Sequence, residues 1–398
     1  MTKLRIAVVG VGTRETSRAR GYLSTIKRLH DRWEICALCD SGDALDEMGE
    51  RFGVSARFRR YADMLDQSEP DVVFLLVPSD GQTPLALEAI DRGCHVLTEI
   101  PYALTLPMGD AVAEAAREKG VQWEIAENVW RWPNEQLKRR IVEQGLLGKI
   151  THARMFYTHG SYHGFNGIRK LLGRRAKRVL GYAQCVDIPE QETYGGDREN
   201  TRWWDSAVIE FEDDITCLYE MPPSPSPRHI LWEVEGTSGH LSGRTLVLYD
   251  GSERATHEIE EVYEDVNGEQ VLSAVRVDTD PPVVWENPYK SNGIGVTDDT
   301  AKACILDSLH RAITEGEPLA YGSDEARQDM ELWVAVRESA ENGNRWVNLP
   351  IRQEVDVERR IRAEYVRRYG GDPVEDYGKL LDGEYNRLSA MWTVAGFL

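Results

Sequence analysis

The sequence predicts an α/β fold that opens with a doubly wound parallel sheet, and three observations carry that expectation. The apolar runs LRIAVVG, DVVFLLVP and CHVLTEIP are near-continuous, as strands buried on both faces should be. Segments of helical period separate them, and a glycine turn follows the first run directly.

Taken in order, LRIAVVG is the first strand and GYLSTIKRL the helix after it. WEICALCD is the second strand, and GDALDEMGERFG is a helix ended by glycine. An amphipathic segment around YADMLDQ leads to the strand DVVFLLVP. TPLALEAIDRG then reads as a helix, CHVLTEIP as a strand, LPMGDAVAEAAREKG as a helix and VQWEIAEN as a further strand. This regular alternation, with short loops, defines a first domain over residues 1–127.

From residue 128 the texture changes. WPNEQLKRRIVEQGLLG is an amphipathic helix, followed by longer segments of antiparallel character: ITHARMFYTHG, SAVIEFEDD, ITCLYEMP, ILWEVEGT, HLSGRTLVLYDG and THEIEEVYEDV. With helices expected at 162–173, 298–315 and 323–342, residues 128–350 form an α/β domain with a mostly antiparallel open sheet. PPSPSP at 222–227 is a local loop. The charged tail 351–398, ending MWTVAGFL, is a helical extension that docks on a neighbouring subunit or, more simply, on its own domain.

At 398 residues and 41% hydrophobic content the chain fills two cores without disulfides. A formal net charge of −20 repels phosphate backbones and anionic bilayers, which excludes nucleic acid and membrane surfaces as partners. MTKLRIAVVG runs into a glycine turn with no cleavage site, so the expectation is no export and a cytoplasmic protein. Most of the six cysteines lie in apolar segments and read as core thiols. Cys36 and Cys39 form a CxxC, but on a strand residues three apart face opposite sides and cannot share a metal, so no metal site is expected.

Gly10-Val11-Gly12 follows the first strand and precedes a helix, where glycines allow a tight turn and close approach to a pyrophosphate resting on the helix N-terminus. Thr13 and Arg14 lie on this turn; Arg14 either reaches a phosphate, which keeps NADP open, or decorates the surface. The third position of the pattern holds Glu15 in place of glycine or alanine. Asp40 ends the second strand, where a carboxylate accepts both hydroxyls of an adenosine ribose and repels a 2′-phosphate, favouring NAD over NADP. The alternative for Asp40 is a helix N-cap.

These motifs, with LLVPSD, TPLALEAIDRGCHVLTEIP, NVWRWP, WEVEGTSGHL and the segment ITEGEPLAYGSDEARQDMELWVAVRESAENGNRWVNLP in order, resemble the Gfo/Idh/MocA family of glucose–fructose oxidoreductase and inositol dehydrogenase over about residues 4–350. The resemblance implies a Rossmann domain binding NAD(P), and a second domain whose open sheet forms homodimers or homotetramers. A sugar, cyclitol or related polyol would bind between them. It implies that Pro78, Ser79, Glu99 and Pro101 line the nicotinamide side, and that Asn128 and Arg131 face the cleft. SYHGFNGIRKLLG parallels the family's GxHxxD helix, with His163 on the histidine, Asn166 on the aspartate and Ser161 where a glycine is usual.

The departure is in LTEIPYALTL, where Ile100 replaces the reactive lysine of the family's EKP. Oxidising a secondary alcohol needs a proton acceptor as well as a hydride acceptor, and a positioned base contributes roughly 10²–10⁴ in rate. His163 remains for that task and titrates near neutrality, its alternative being a satisfied histidine at a helix start. Tyr102 and Tyr162 are the nearest replacement acids, and Asn166 can hold a sugar hydroxyl but cannot ionise. Trp130, Trp132, Trp203 and Trp204 offer ring faces on which sugars stack, or they fill a core.

Three functions fit this pattern. The first is an NAD-dependent oxidoreductase acting on a sugar, sugar acid or cyclitol. The second is an enzyme that keeps NAD bound and uses transient oxidation in a lyase, glycosidase or epimerase reaction. The third is a non-catalytic nucleotide-binding regulator.

Overall fold

A computed structural model describes residues 2–12, 18–156, 161–192, 198–221 and 231–382. The first sheet has six parallel strands: β1 (Leu4–Val9), β2 (Trp33–Cys39), β3 (Arg57–Phe58), β4 (Val72–Leu75), β5 (His95–Thr98) and β6 (Trp123–Ile125). Helices α1 (Arg18–Arg28), α2 (Ala44–Phe52), α3 (Tyr61–Ser68), α4 (Ser79–Asp91) and α5 (Leu106–Lys119) connect them. The strand order is β3-β2-β1-β4-β5-β6, so the winding reverses between β1 and β4, the crevice in which such sheets bind ligands. Every residue of β4 is buried, which explains why its sequence is apolar throughout.

After α6 (Pro133–Glu143) come β7 (Ile150–Phe156), α7 (Ser161–Leu172), β8 (Ala176–Glu192), β9 (Arg198–Phe211) and β10 (Thr216–Met221). They are followed by β11 (Leu231–Gly236), β12 (Gly239–Ser242), β13 (Thr245–Asp250), β14 (Glu253–Val266), β15 (Glu269–Val277) and β16 (Val283–Glu286). Then follow α8 (Thr297–Glu315), α9 (Ser323–Glu341), β17 (Val347–Asn348), α10 (Asp356–Tyr369) and α11 (Tyr377–Asp382). The second sheet runs β16-β15-β14-β13-β12-β11-β7-β10-β9-β8-β17 and is antiparallel except where β7 meets β10.

Four strands of this sheet, β8, β15, β16 and the two-residue β17, are not anticipated from the sequence. Along β8 two inward positions are Val179 and Gly181; a Cβ on Gly181 would stand 2.4 Å from the Val336 carbonyl oxygen of α9, so the helix lies on bare backbone there. A strand that packs through a glycine gives little hydrophobic alternation to read. HLSGRTLVLYDG, read as one strand, is the hairpin β12–β13, turned at Gly243 with φ +58°.

The helices expected at 298–315 and 323–342 are present as α8 and α9. The sequence reading puts α8 in the second domain, but its Ala303, Leu306 and Leu309 share one apolar cluster with Ile6, Val8, Leu23 and Phe74. A late segment thus completes the core of the first domain. The described part of the tail packs on its own chain: Val357, Ile361 and Tyr365 are buried, and α11 lies against α4. MWTVAGFL and PPSPSP fall outside the described residues. Among the described residues no helix is long and apolar enough to cross a membrane.

Candidate active site

The turn after β1 is built for glycine. Gly10 and Gly12 have φ of +87° and +68°, and a Cβ on Gly10 would stand 2.5 Å from the Leu76 carbonyl oxygen. Thr13 and Arg14 lie outside the described residues. Beside the turn, Asp40 Oδ2 accepts the Val11 amide at 2.6 Å and Oδ1 accepts the Gly42 amide at 2.7 Å. The residue preceding α2 is Asp43, so Asp40 is not that helix's N-cap. Each Asp40 oxygen keeps further acceptor capacity, so the glycine turn and this carboxylate fit a dinucleotide's pyrophosphate and ribose.

At the ends of β4 and β5 the second cluster forms. Ser79 opens α4 and is buried, with its hydroxyl unpartnered among the described residues. Pro78 precedes it, and Glu99, Ile100 and Pro101 follow β5. Glu99 Oε1 accepts from Arg18 Nε at 2.9 Å, while Arg18 Nη1 lies 3.4 Å from Asp298 Oδ2. Asn128 donates its side-chain amide to the other oxygen of Asp298. Burial works against the charge on Arg18, but Glu99, then Tyr22 and Asp298, outweigh it and hold its pKa above the ordinary guanidinium value.

His163, on the first turn of α7, places Nδ1 at 3.0 Å from both carboxylate oxygens of Glu127. Glu127 is fully buried just beyond β6, and its Oε1 also accepts the Val129 amide at 2.9 Å. The His163 side chain retains 23% exposure. Burial is the largest single influence and pushes its pKa down, but the charge and hydrogen bond of Glu127, with Glu99, together outweigh it, and the net displacement is upward. Arg18 and Glu99 act on the same imidazole through charge, so the histidine, the Glu99–Arg18 pair and the end of β6 form one electrostatic unit.

The remaining expected site residues lie in the scaffold. Tyr102 is 1% exposed, with its ring 5.4 Å from that of Trp123 and pressed on Gly109 of α5; burial raises its pKa. Tyr162 meets the Tyr321 hydroxyl at 2.9 Å. Asn166 donates to buried Asp329 at 2.9 Å, beside Arg169 at 2.6 Å from the same carboxylate. Arg131 is buried on Glu124, which also accepts from Ser308 at 2.9 Å. Trp130 is covered by Lys170, 4.7 Å above its ring, and Trp203 by Arg337 at 4.2 Å. The structure therefore gathers His163, Glu99 and Asn128, and gives Tyr102, Tyr162, Asn166, Trp130 and Arg131 packing partners instead.

Three residues of the cluster are absent from the sequence reading. Glu127 had a usable signal, since like Asp40 and Glu99 it is a carboxylate just past the C-terminal end of a parallel strand. Arg18 begins the helix after the glycine turn. Asp298 lies 170 positions from Asn128 and carries no local signal.

Residues 4–126 match the oxidoreductase family with an NAD-binding Rossmann fold. A glycosyl hydrolase family 109 protein of Shewanella pealeana is 25% identical over 169 residues, 40% of this chain and 36% of that protein. The chain thus aligns with only about a third of the length of such curated relatives. Among solved structures, an oxidoreductase domain protein from Kribbella flavida superposes with a TM-score of 0.69 at 19% identity, covering 88% of this chain and all (100%) of that one. Levoglucosan dehydrogenase in complex with NADH and levoglucosan gives a TM-score of 0.69 at 18% identity, with coverages of 88% and 100%. At such identities the superpositions speak for the fold alone: the chain is a two-domain α/β protein whose residues 4–126 match the NAD-binding Rossmann domain of that oxidoreductase family.

Proposed function

We propose that the protein is an NAD-dependent oxidoreductase acting on a hydroxyl group of a sugar, sugar acid or cyclitol, with His163 as proton acceptor. The observation that carries this reading is the placement of the His163 imidazole, seated on Glu127, in one cluster with Glu99 and Arg18 at the C-terminal edge of the first sheet. NAD, when bound, accepts a hydride from the carbon bearing the hydroxyl. Gly10, Gly12 and Asp40 would hold its pyrophosphate and adenosine ribose, and Pro78, Ser79, Glu99 and Pro101 its nicotinamide end. His163 takes the hydroxyl proton, and Asn128 would offer the substrate a neutral donor. The likeness to a levoglucosan dehydrogenase fold supports a carbohydrate substrate.

A second reading has its own support. Ile100 removes the lysine, and the relative from Shewanella pealeana is a glycosyl hydrolase family 109 protein, so retained NAD could serve a bond cleavage without net redox. Screening sugars and glycosides for NADH and for product separates the two. Stoichiometric NADH supports the first reading, product without net NADH supports the second, and neither outcome rejects both.

Self-association through the second sheet is part of this proposal. Leu218 of β10 is 54% exposed and Tyr263 of β14 is 52% exposed, large apolar groups on one sheet. Light scattering that gives a monomer mass would reject it.

A further inference from the structure

Ile100 has no proton to offer, so the chemistry assigned to His163 must be supported from another direction. Glu127 is the group that meets it. Its carboxylate is fully buried, anchored by the Val129 amide at 2.9 Å, and equidistant through both oxygens, 3.0 Å, from His163 Nδ1. An ionised carboxylate can only accept hydrogen bonds, so the nitrogen facing it carries the proton. In a neutral imidazole the other nitrogen, Nε2, then holds the lone pair.

We propose that Glu127 is a positioning residue that fixes His163 as the Nδ1–H tautomer and leaves Nε2 as the atom that takes the substrate's proton. This rests on the reading of His163 as proton acceptor. In that step the hydroxyl O–H bond breaks and an Nε2–H bond forms. The oxygen's electron pair becomes the second bond of the carbonyl as the carbon gives up its hydride, for which bound NAD would supply the acceptor. His163 gains one positive charge opposite a carboxylate that is already in place, so the arrangement favours the charged state reached by proton transfer over the neutral starting state.

The pair also crosses the fold. Glu127 stands at the end of the first sheet's last strand, and His163 on the first helix after β7. A carboxylate rigidly held by one domain therefore sets the orientation of a base carried by the other. Lysine on the β5 loop would have offered a second proton handler within the first domain; among the described residues the proposed proton path runs through His163.

The test uses full-length protein loaded with NAD and ¹⁵N-labelled histidine, with His163→Ala identifying the His163 signals. Wild type should show Nδ1 protonated and Nε2 unprotonated in the neutral ring. Glu127→Gln, which keeps an acceptor for the Val129 amide but no charge, should lower the His163 pKa and mix the tautomers. With a sugar found by the screen above, turnover should fall roughly 10²-fold and its pH profile should move with the imidazole. Unchanged tautomer and pKa in Glu127→Gln overturn the proposal, whatever the turnover. Altered tautomer with unchanged turnover also overturns it, provided His163→Ala is inactive. If His163→Ala keeps full turnover, the reading of His163 as proton acceptor fails first. Should Glu127→Gln not fold, Glu127→Asp keeps the charge but draws the carboxylate back by one methylene; the His163 pKa should then fall by less and the tautomers still mix, and an unchanged tautomer ratio overturns the proposal.

Discussion

Glu358 of α10 accepts the backbone amide of Leu106 at 2.6 Å, across 252 positions of sequence. The carboxylate is fully buried, and its other oxygen takes the Val355 amide at 3.2 Å. A tail helix thereby satisfies the first amide of α5, which follows directly from the β5 loop carrying Glu99 and Ile100. Glu358→Ala leaves two amides without their acceptor and should lower stability by about 1–3 kcal/mol. Urea unfolding measures this, and an unchanged midpoint would count against the tail as a structural part of the first domain.

Replacing His163 by alanine should abolish turnover while leaving NAD affinity within about threefold, because the imidazole sits on α7 and the expected dinucleotide contacts lie at β1 and β2. Calorimetric titration with NAD and an activity assay distinguish the two effects. Retained turnover would remove His163 from the chemistry.

Asp40→Ala removes the carboxylate beside the glycine turn and should weaken NAD about tenfold or more, close to 1.4 kcal/mol. The loss should be smaller for NADP, whose 2′-phosphate the native carboxylate repels. Equal losses for both cofactors would mean that Asp40 acts only through the Val11 and Gly42 amides.

Ile100→Lys restores the proton handler that the family resemblance leads one to expect. If the native protein is a net dehydrogenase using the His163–Glu127 pair, the variant should not gain dehydrogenase activity. NADH formation that appears only in Ile100→Lys would favour the retained-NAD reading.

Glu325 gives a dependence on acid. Burial tends to raise its pKa, but Arg169 and then Lys170 outweigh burial and pull it down to about 2. A carboxylate whose folded pKa lies below its unfolded value stabilises the fold above the unfolded value and loses that contribution as pH falls through the folded one. The stability gap between wild type and Glu325→Gln should therefore be constant above about pH 5 and close towards pH 2. A gap independent of pH over that range would show that the ion pairs contribute nothing.

Much of this molecule was legible because its first sheet is buried on both faces. Runs such as VVFL leave few alternatives to a parallel strand, and the glycine turn after LRIAVV marks the crevice. The second sheet was harder to read: its outer face tolerates charge, and β8 packs through glycine. In the site, Asp40 and Glu99 at strand ends were visible and His163 stood in a readable motif, whereas Glu127, at the end of the next strand, was missed. Asn166 and Tyr162 sit in that same motif, yet Asp329 and Tyr321, about 160 positions away, absorb them into packing. Pairings of that range have no periodicity or spacing to expose them.

The apolar contribution of α8 to the first sheet also bears on synthesis. Residues 1–127 emerge from the ribosome early, but Leu306 and Leu309, which finish their core, come about 180 residues later. At about 5–20 residues per second, the nascent sheet waits roughly 10–40 s with one flank uncovered. The third of the protein that is made first is thus among the last to close.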